Sequence, residues 1–406
     1  MAMFDIFRKL FSQLKPQRKV KDPAVVAAPV DDPDIPVPPE SAPNQEAAPE
    51  VLAITCIGHS HIKHGTVCQD SSLCHHEKNF RLIAVSDGHG SASFPRSDRG
   101  SALACSVARQ VCAEFSQGEF PQDREQAARD LCDTIQTRWK QAVLADYAQD
   151  PFDEATLEGV SEKYREHYRA GRHAEHAYGA TLIAVLETPA GTLAIRCGDG
   201  ECITIDAQGN FSRPIPWNDK CDVNVTTSLC DADAIDEFRW VWLDEPMAAI
   251  WIGTDGVDNS YPRPEDLDEF YANLSTRIWE QGCDHVVQDL QQFLPVLTQR
   301  CSQDDISIAA MVNQDVLANA HKRLHAYVEL RQALRELEEL HRRVKLNSRA
   351  LREKEQALER EGSSREALYQ EICTFREEEA KLNSALASQE AKVAQLRLDA
   401  GIPAEE

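Results

Sequence analysis

Between residues 315 and 398 the chain has no proline and a single glycine, Gly362. Such a stretch lacks the turn residues that a sheet of short strands needs. Its apolar residues recur at helical rather than alternating intervals. Leu330, Leu334, Leu337, Val344, Leu351 and Leu358 mark one narrow seam; Leu368, Ile372, Phe375, Leu382, Leu386, Val393 and Leu396 mark a second. Glu, Arg and Lys fill much of the rest, the pattern of a coiled coil. The two seams are out of phase, and the slip falls at Gly362-Ser363-Ser364. It allows either a hairpin of two antiparallel helices or one long helix with a discontinuity. Residues 315–398 are therefore expected to form a coiled coil that engages a partner or a second copy of the chain, a dimer being the expected assembly. Residues 399–406 are a short tail.

The other end is built on the opposite principle. Eight prolines between Pro23 and Pro49 interrupt residues 21–50. Proline fixes φ and removes amide donors, so this stretch reads as an extended, disordered linker. Ahead of it, within residues 1–20, Phe4, Phe7, Leu10, Phe11 and Leu14 fall at helical spacing, followed by Lys15, Arg18 and Lys19. The alternatives are an amphipathic helix lying on an anionic membrane surface or a partner, and a frayed terminus. Asp5, Arg8 and Lys9 interrupt the apolar stretch, which makes it a poor secretory signal.

Composition narrows the class of protein. No apolar run approaches the roughly 20 residues of a membrane-spanning helix. With 43 Lys+Arg against 67 Asp+Glu and a net charge of −24, the chain lacks the basic face of a nucleic-acid binder, so no nucleic-acid partner is expected. Its 13 cysteines are scattered along 406 residues; they read as reduced, buried thiols and imply a cytoplasmic location.

The acid surplus is concentrated in residues 51–314, where 21 basic side chains face 41 acidic ones. This block reads as α+β. Segments 51–58, 80–86, 180–186, 192–197, 238–243, 248–253 and 306–312 are short, apolar or β-branched, and bounded by turn signals. Helical periodicity marks 98–117, 124–147 and 285–297. Strands and helices do not alternate regularly, which disfavours a parallel doubly wound sheet. Two packed antiparallel sheets with helices outside, an α-β-β-α sandwich, fit better.

Several of these strands end in aspartate. Ser86 runs into Asp87-Gly88-His89-Gly90, Cys197 into Gly198-Asp199-Gly200, and Thr254 into Asp255-Gly256. Asp304-Asp305 opens the last strand, and Gln69-Asp70 follows a turn at Gly65. One Asp-Gly alone is usually a tight turn. Packed strands, however, bring their ends to a common edge, and carboxylates gathered there repel unless a cation neutralises them. A ligand set of hard oxygens points to Mg²⁺ or Mn²⁺ rather than Zn²⁺. Two such ions sharing a carboxylate activate a bridging water and clamp a phosphoryl group.

In order, Gly58-His59-Ser60-His61, Cys68-Gln69-Asp70, Asp87-Gly88-His89-Gly90, Gly179-Ala180-Thr181-Leu182, Gly198-Asp199-Gly200, Thr254-Asp255-Gly256-Val257 and Asp304-Asp305-Ile306-Ser307 resemble the motifs of the metal-dependent (type 2C, PPM) protein Ser/Thr phosphatases, bacterial branch. The resemblance spans about residues 52–312. It implies a phosphatase domain over 51–314, two Mg²⁺ or Mn²⁺ ions and a position for a third. By the same resemblance Asp87 bridges the two ions, the Gly88 carbonyl binds one, and Asp255 and Asp304 bind the other. Asp70 acts through metal-bound water, and Asp199 matches the looser third position. His89 is the general acid for the leaving Ser/Thr oxygen, water is the attacking group, and no phosphoenzyme forms. The substrate implied is a phosphorylated protein, such as a Ser/Thr kinase or its target.

Two positions depart from the family pattern. A phosphate-binding Arg is common five residues before the Asp matched by Asp70; here Gly65 stands there, and His61, Lys63 or His64 is expected to take over phosphate contact. Asn often follows the last metal-binding Asp, where this chain has Asp305. Cys68, Cys74, His75 and His76 fit no paired zinc scheme. Residues 150–176, with Tyr164 and Tyr168 at helical spacing, form either a flap near the site or a solvated surface helix. The competing functional class is a non-catalytic scaffold that binds phosphoproteins through a phosphatase-like domain; a retained cluster of costly acids disfavours it.

Overall fold

The computed structural model describes residues 50–403 except 78, 119–121, 190, 222–225 and 361–364. The expected N-terminal helix, residues 21–49 of the linker, the Gly362-Ser363-Ser364 slip and residues 404–406 lie outside the described residues. Ten strands are described: β1 (Glu50–Cys56), β2 (Ser71–Glu77), β3 (Phe80–Ser86), β4 (Leu182–Thr188), β5 (Gly191–Cys197), β6 (Glu201–Ile205), β7 (Phe211–Ser212), β8 (Arg239–Leu243), β9 (Ala249–Gly253) and β10 (Ile306–Val312). They form two antiparallel five-stranded sheets, in the orders β1-β10-β9-β6-β7 and β2-β3-β4-β5-β8. Six long helices accompany them: α1 (Ser97–Gln117), α2 (Arg124–Gln149), α3 (Pro264–Gln281), α4 (Cys283–Arg300), α5 (Gln314–Arg360) and α6 (Arg365–Asp399).

The layering follows from strands buried on both faces. Successive side chains of a strand point to opposite sides. In β3, Ile83 and Val85 therefore face inward, and with Ile183 of β4 they meet Ile252 of β9 and Ala309 and Met311 of β10 between the sheets. Leu82 and Ala84 face outward, toward α1, in one apolar cluster with its Ala104, Ala108 and Val111. On the other side, Trp251 and Ile308 turn outward against Leu274 of α3 and Leu290 of α4. The expected antiparallel sandwich with external helices is thus the observed fold.

Strands β2, β6 and β7 and helix α3 lie outside the segments that the sequence pattern marks. β2 reads SSLCHHE and pairs within its sheet with β3 alone, so no apolar run announces it. Helix α3 does carry start signals, Pro264 in its first turn with Glu265 and Asp266. Its apolar stripe is diluted by Asp266, Asp268 and Glu269, which are buried.

The long helices α5 and α6 run antiparallel. The Arg323 guanidinium donates to the Ala400 carbonyl (2.7 Å) near the base, and the Asn347 amide donates to the Phe375 carbonyl (3.0 Å) further out. Leu351, Ile372 and Leu382 are buried in the distal half. The beginning of α5 belongs to the sandwich: Leu317, Ala320 and Leu324 are fully buried in the cluster beneath the first sheet.

Candidate active site

Strand register gathers the acids. Gly253, the last residue of β9, is opposite both Ile308 of β10 and Glu201 of β6. Asp255 just beyond β9, Asp304 just before β10 and Asp199 just before β6 therefore meet at one edge. The second sheet delivers Asp87 to the same edge from the end of β3. Thr181 grips that residue from both sides, its amide donating to the Asp87 carbonyl (2.8 Å) and its hydroxyl accepting from the Asp87 amide (2.9 Å). The result is a cavity of ≈ 430 Å³ whose lining includes Asp87, Gly88, His89, Asp199, Asp255 and Asp304. Asp70 is outside that lining, buried, and its Oδ2 accepts from the Thr254 hydroxyl (2.7 Å).

The electrostatics are those of crowded anions. Burial first, then Asp70 and Asp255, push the Asp87 carboxyl well above the usual range. Burial and the neighbouring Asp305 and Asp255 do the same to Asp70, against a hydrogen bond from Thr254. Asp255 is pushed up to about 6 by burial, Asp199 and Asp304, partly relieved by its hydrogen bond with Asp87. Burial also raises Asp199 and Asp304. Among the described residues none of Asp70, Asp87 and Asp255 forms an ion pair with Lys or Arg.

The donor set suits a hard divalent cation, since it consists of carboxylates and the Gly88 carbonyl. Gly88 is required by packing: a Cβ there would lie 2.5 Å from the Ser97 carbonyl oxygen and 2.6 Å from that of Gln69. Among the described residues no three His, Cys, Asp or Glu side chains form a ready-made ligand cage. Mg²⁺ does not demand one, because it keeps several waters and takes one or two carboxylates.

His61, Lys63 and His64 separate in the structure. All three belong to the short helix His59–His64. His61 lines the cavity, its Nδ1 2.9 Å from Asp305 Oδ1. Lys63 and His64 are exposed and outside the lining, and His64 Nδ1 lies 2.7 Å from the Ser60 carbonyl. Asp305 itself is a tie: it accepts from the Gly58 and Gln69 amides, each at 2.6 Å. The extra anion at this departure from the family pattern thus fastens the 58–69 segment to the start of β10. In sequence Asp305 reads as an extra anion that tightens metal binding or weakens phosphate binding, and nothing there shows its backbone tie; Thr181 belongs to a motif of the family, but nothing local shows which backbone it holds.

His89 donates its amide to the Gly179 carbonyl (3.1 Å). Burial and then the nearby His176 push its imidazole down to about 4. The thiol and imidazole groups near Cys68 stay apart in function: the Cys68 thiol donates to the Asp70 carbonyl, and His75 contacts Glu77.

A two-sheet sandwich with acids at one edge defines a class, and the sequence places the chain in it. Residues 57–295, more than half of the chain, match the model of the family described as protein phosphatase 2C, and the chain belongs to that family. The match ends before Asp304, Asp305 and β10. No curated protein matches the sequence significantly. Among solved structures, PppA, a key regulatory component of T6SS in Pseudomonas aeruginosa, is 18% identical, with a TM-score of 0.42 and 66% of this chain and 99% of that one covered. The S. agalactiae serine/threonine phosphatase is also 18% identical, with a TM-score of 0.42 and coverages of 65% and 99%. The catalytic domain of the serine/threonine phosphatase PstP, in complex with two manganese ions, is 11% identical, with a TM-score of 0.38 and coverages of 65% and 97%. No described helix is long and apolar enough to cross a membrane.

Proposed function

We propose that the chain is a Mg²⁺- or Mn²⁺-dependent phosphatase of phosphoserine and phosphothreonine in proteins. The observation that carries this reading is the meeting of Asp87, Asp199, Asp255 and Asp304 with Gly88 and His89 in one cavity, without Lys or Arg ion pairs to Asp87 or Asp255 among the described residues. Asp87 and the Gly88 carbonyl would hold one ion, Asp255 and Asp304 a second, and Asp199 a looser third. When bound, such ions acidify water and neutralise phosphoryl charge. Thr181 fixes the Asp87 backbone and Thr254 fixes Asp70, so the carboxylates are aimed before substrate arrives. Of the three candidate phosphate contacts, His61 would serve, a reading supported by its place in the cavity lining beside Asp305. A phosphoryl dianion beside His89 favours its protonated ring, which then donates to the leaving Ser or Thr oxygen. The phosphoryl group passes to water, giving inorganic phosphate and the free alcohol.

The coiled-coil seam is consumed within the chain, with Leu330, Leu351, Ile372, Leu382 and Val393 buried. A partner or second copy therefore meets the outer faces of the hairpin. The test of the catalytic reading is hydrolysis of p-nitrophenyl phosphate and of a phosphothreonine peptide with Mn²⁺, with and without chelator. Both substrates should turn over only with metal; activity that survives chelation and the Asp87→Asn and Asp255→Asn substitutions would falsify it.

A further inference from the structure

A proton donor must be aimed, and the usual device is a hydrogen bond to the second ring nitrogen of the histidine. His89 has no such bond: among the described residues neither of its ring nitrogens has a hydrogen-bond partner. Its orientation is set by packing instead. The ring lies against Gly179, where a Cβ would come within 2.7 Å of His89 Cδ2. It also meets Phe94 edge to face, with centroids 4.7 Å apart.

Behind Phe94 stands the segment 150–178, which joins α2 to β4 through the short helices Glu154–Gly159 and Glu162–Arg169 and the 3₁₀ turn Ala174–Tyr178. His176 stacks on Phe94 at 4.7 Å, and Tyr164 stacks on His176 at 4.3 Å. The Tyr168 hydroxyl donates to the Ser93 carbonyl (2.8 Å) and lies 2.6 Å from His176 Nδ1. A hydroxyl has one proton; with that proton on Ser93, His176 Nδ1–H is the donor to Tyr168. The same segment fastens the rest of the loop after His89. The Arg96 amide donates to the Ala177 carbonyl (3.0 Å), and the Arg96 guanidinium donates to the Tyr178 hydroxyl (2.8 Å) and lies over Phe152. Tyr168 and Tyr178 are fully buried, so these anchors are fixed.

We propose that segment 150–178 is a strap that aims His89 through Phe94 and His176, which makes those two side chains positioning residues for proton donation to the leaving group. The proposal rests on the reading of His89 as the acid. It assigns a chemical task to a stretch whose sequence alone leaves flap and surface helix both open.

The leaving group separates aiming from mere stability. Phenolate needs a proton as it departs, whereas 2,4-dinitrophenolate does not. In Phe94→Leu, kcat for phenyl phosphate with Mn²⁺ should fall about tenfold or more, a part of the roughly 10²–10⁴-fold a general acid contributes, while kcat for 2,4-dinitrophenyl phosphate stays within about twofold and KM is unchanged for both. Phe94→Tyr, which keeps the ring, should restore phenyl phosphate turnover. His89→Ala should show the same selectivity at larger amplitude, and Asp87→Asn should stop both substrates. Equal loss on both substrates in Phe94→Leu, or no loss, beside a selective His89→Ala overturns the strap alone. A His89→Ala without selectivity removes the acid and the strap together. Should Phe94→Leu fail to fold by circular dichroism, Tyr168→Phe, which deletes the ties to Ser93 and His176 without opening a void, is judged by the same ratio.

Discussion

Two groups of buried carboxylates in this molecule have opposite surroundings. At or beside the cavity, Asp70, Asp87 and Asp255 have their pKa raised by burial first and then by neighbouring carboxylates: Asp305 and Asp255 for Asp70, Asp70 and Asp255 for Asp87, Asp199 and Asp304 for Asp255. On α3, Asp266 and Glu269 are matched by arginines from α5: Arg331 lies 2.8 Å from Asp266, and Arg335 lies 2.6 Å from Glu269. Burial pushes Asp266 up, but hydrogen bonds from Arg263 and Arg331 outweigh it and hold the carboxyl below the usual range. Buried charge is strongly unfavourable without a partner. Where acids serve the architecture, the chain supplies the cations itself from the foot of the helical hairpin. Where it supplies none, the acids are kept against stability, and the partner has to come from solution.

The sharpest way to break this contrast is to neutralise one acid in each group. Asp87→Asn should lower turnover of p-nitrophenyl phosphate at least about a thousandfold, because several kcal/mol of charge stabilisation at the phosphoryl group is lost. The same substitution should leave the metal-free protein at least as resistant to urea, since it removes a repelling charge. Glu269→Ala should do the reverse. It strands Arg335, whose side chain is only 12% exposed, while Arg331 keeps Asp266, and should cost about 3–5 kcal/mol in urea unfolding, with kcat of the folded protein retained. A destabilised Asp87→Asn together with an unaffected Glu269→Ala would erase the distinction.

The pH profile of the metal-free protein sharpens it further. The native site acids hold protons that the unfolded chain has already released above about pH 4: Asp255 up to about 6, with Asp70 and Asp87 raised in the same direction by burial and neighbouring carboxylates. Folding stability must then fall as pH rises through that window, on the order of a few kcal/mol. Asp266 works in the other direction: its folded pKa is lowered, so its contribution is present at neutral pH and is lost only as pH drops below the carboxylate range. Urea melts of chelated protein should give lower stability at pH 7.5 than at pH 5, with Mg²⁺ reversing the order. A chelated protein more stable at pH 7.5 speaks against the crowded site.

The same contrast explains what could be read in advance. β3, β9 and β10 are buried on both faces, so they show as apolar runs, and an aspartate closing such a run is conspicuous. That made Asp87, Asp255 and Asp304 visible as strand-end acids, and antiparallel pairing then brings them to one edge. β2 hid because an edge strand with partly exposed faces needs no apolar run. His61, Lys63 and His64 look equivalent in sequence, but on one short helix Lys63, two positions on, points to the opposite side from His61, and His64 is exposed with its Nδ1 at the Ser60 carbonyl. Arg331 and Arg335 looked like ordinary surface charges of a coiled coil. Their partners lie more than sixty residues earlier on α3, and no local signal discloses a pairing across that distance.

The smallest effect is expected where α5 has left the sandwich. Arg349 and Glu353 form an i,i+4 pair at 3.0 Å, but their side chains are 79% and 65% exposed. Water already solvates both charges, salt screens them, and holding two long side chains together costs rotamer freedom. Arg349→Ala should therefore change urea stability by no more than about 0.5 kcal/mol and leave phosphatase activity unaltered. The comparison with Arg335 is direct, since both residues are arginines of one helix, fourteen positions apart, each facing a glutamate. If Arg349→Ala proved as damaging as Arg335→Ala in parallel urea melts, burial would not be what separates structural ion pairs from decorative ones in this hairpin. The outer half would then have to be held by its charges rather than by the apolar seam of Leu351, Ile372 and Leu382.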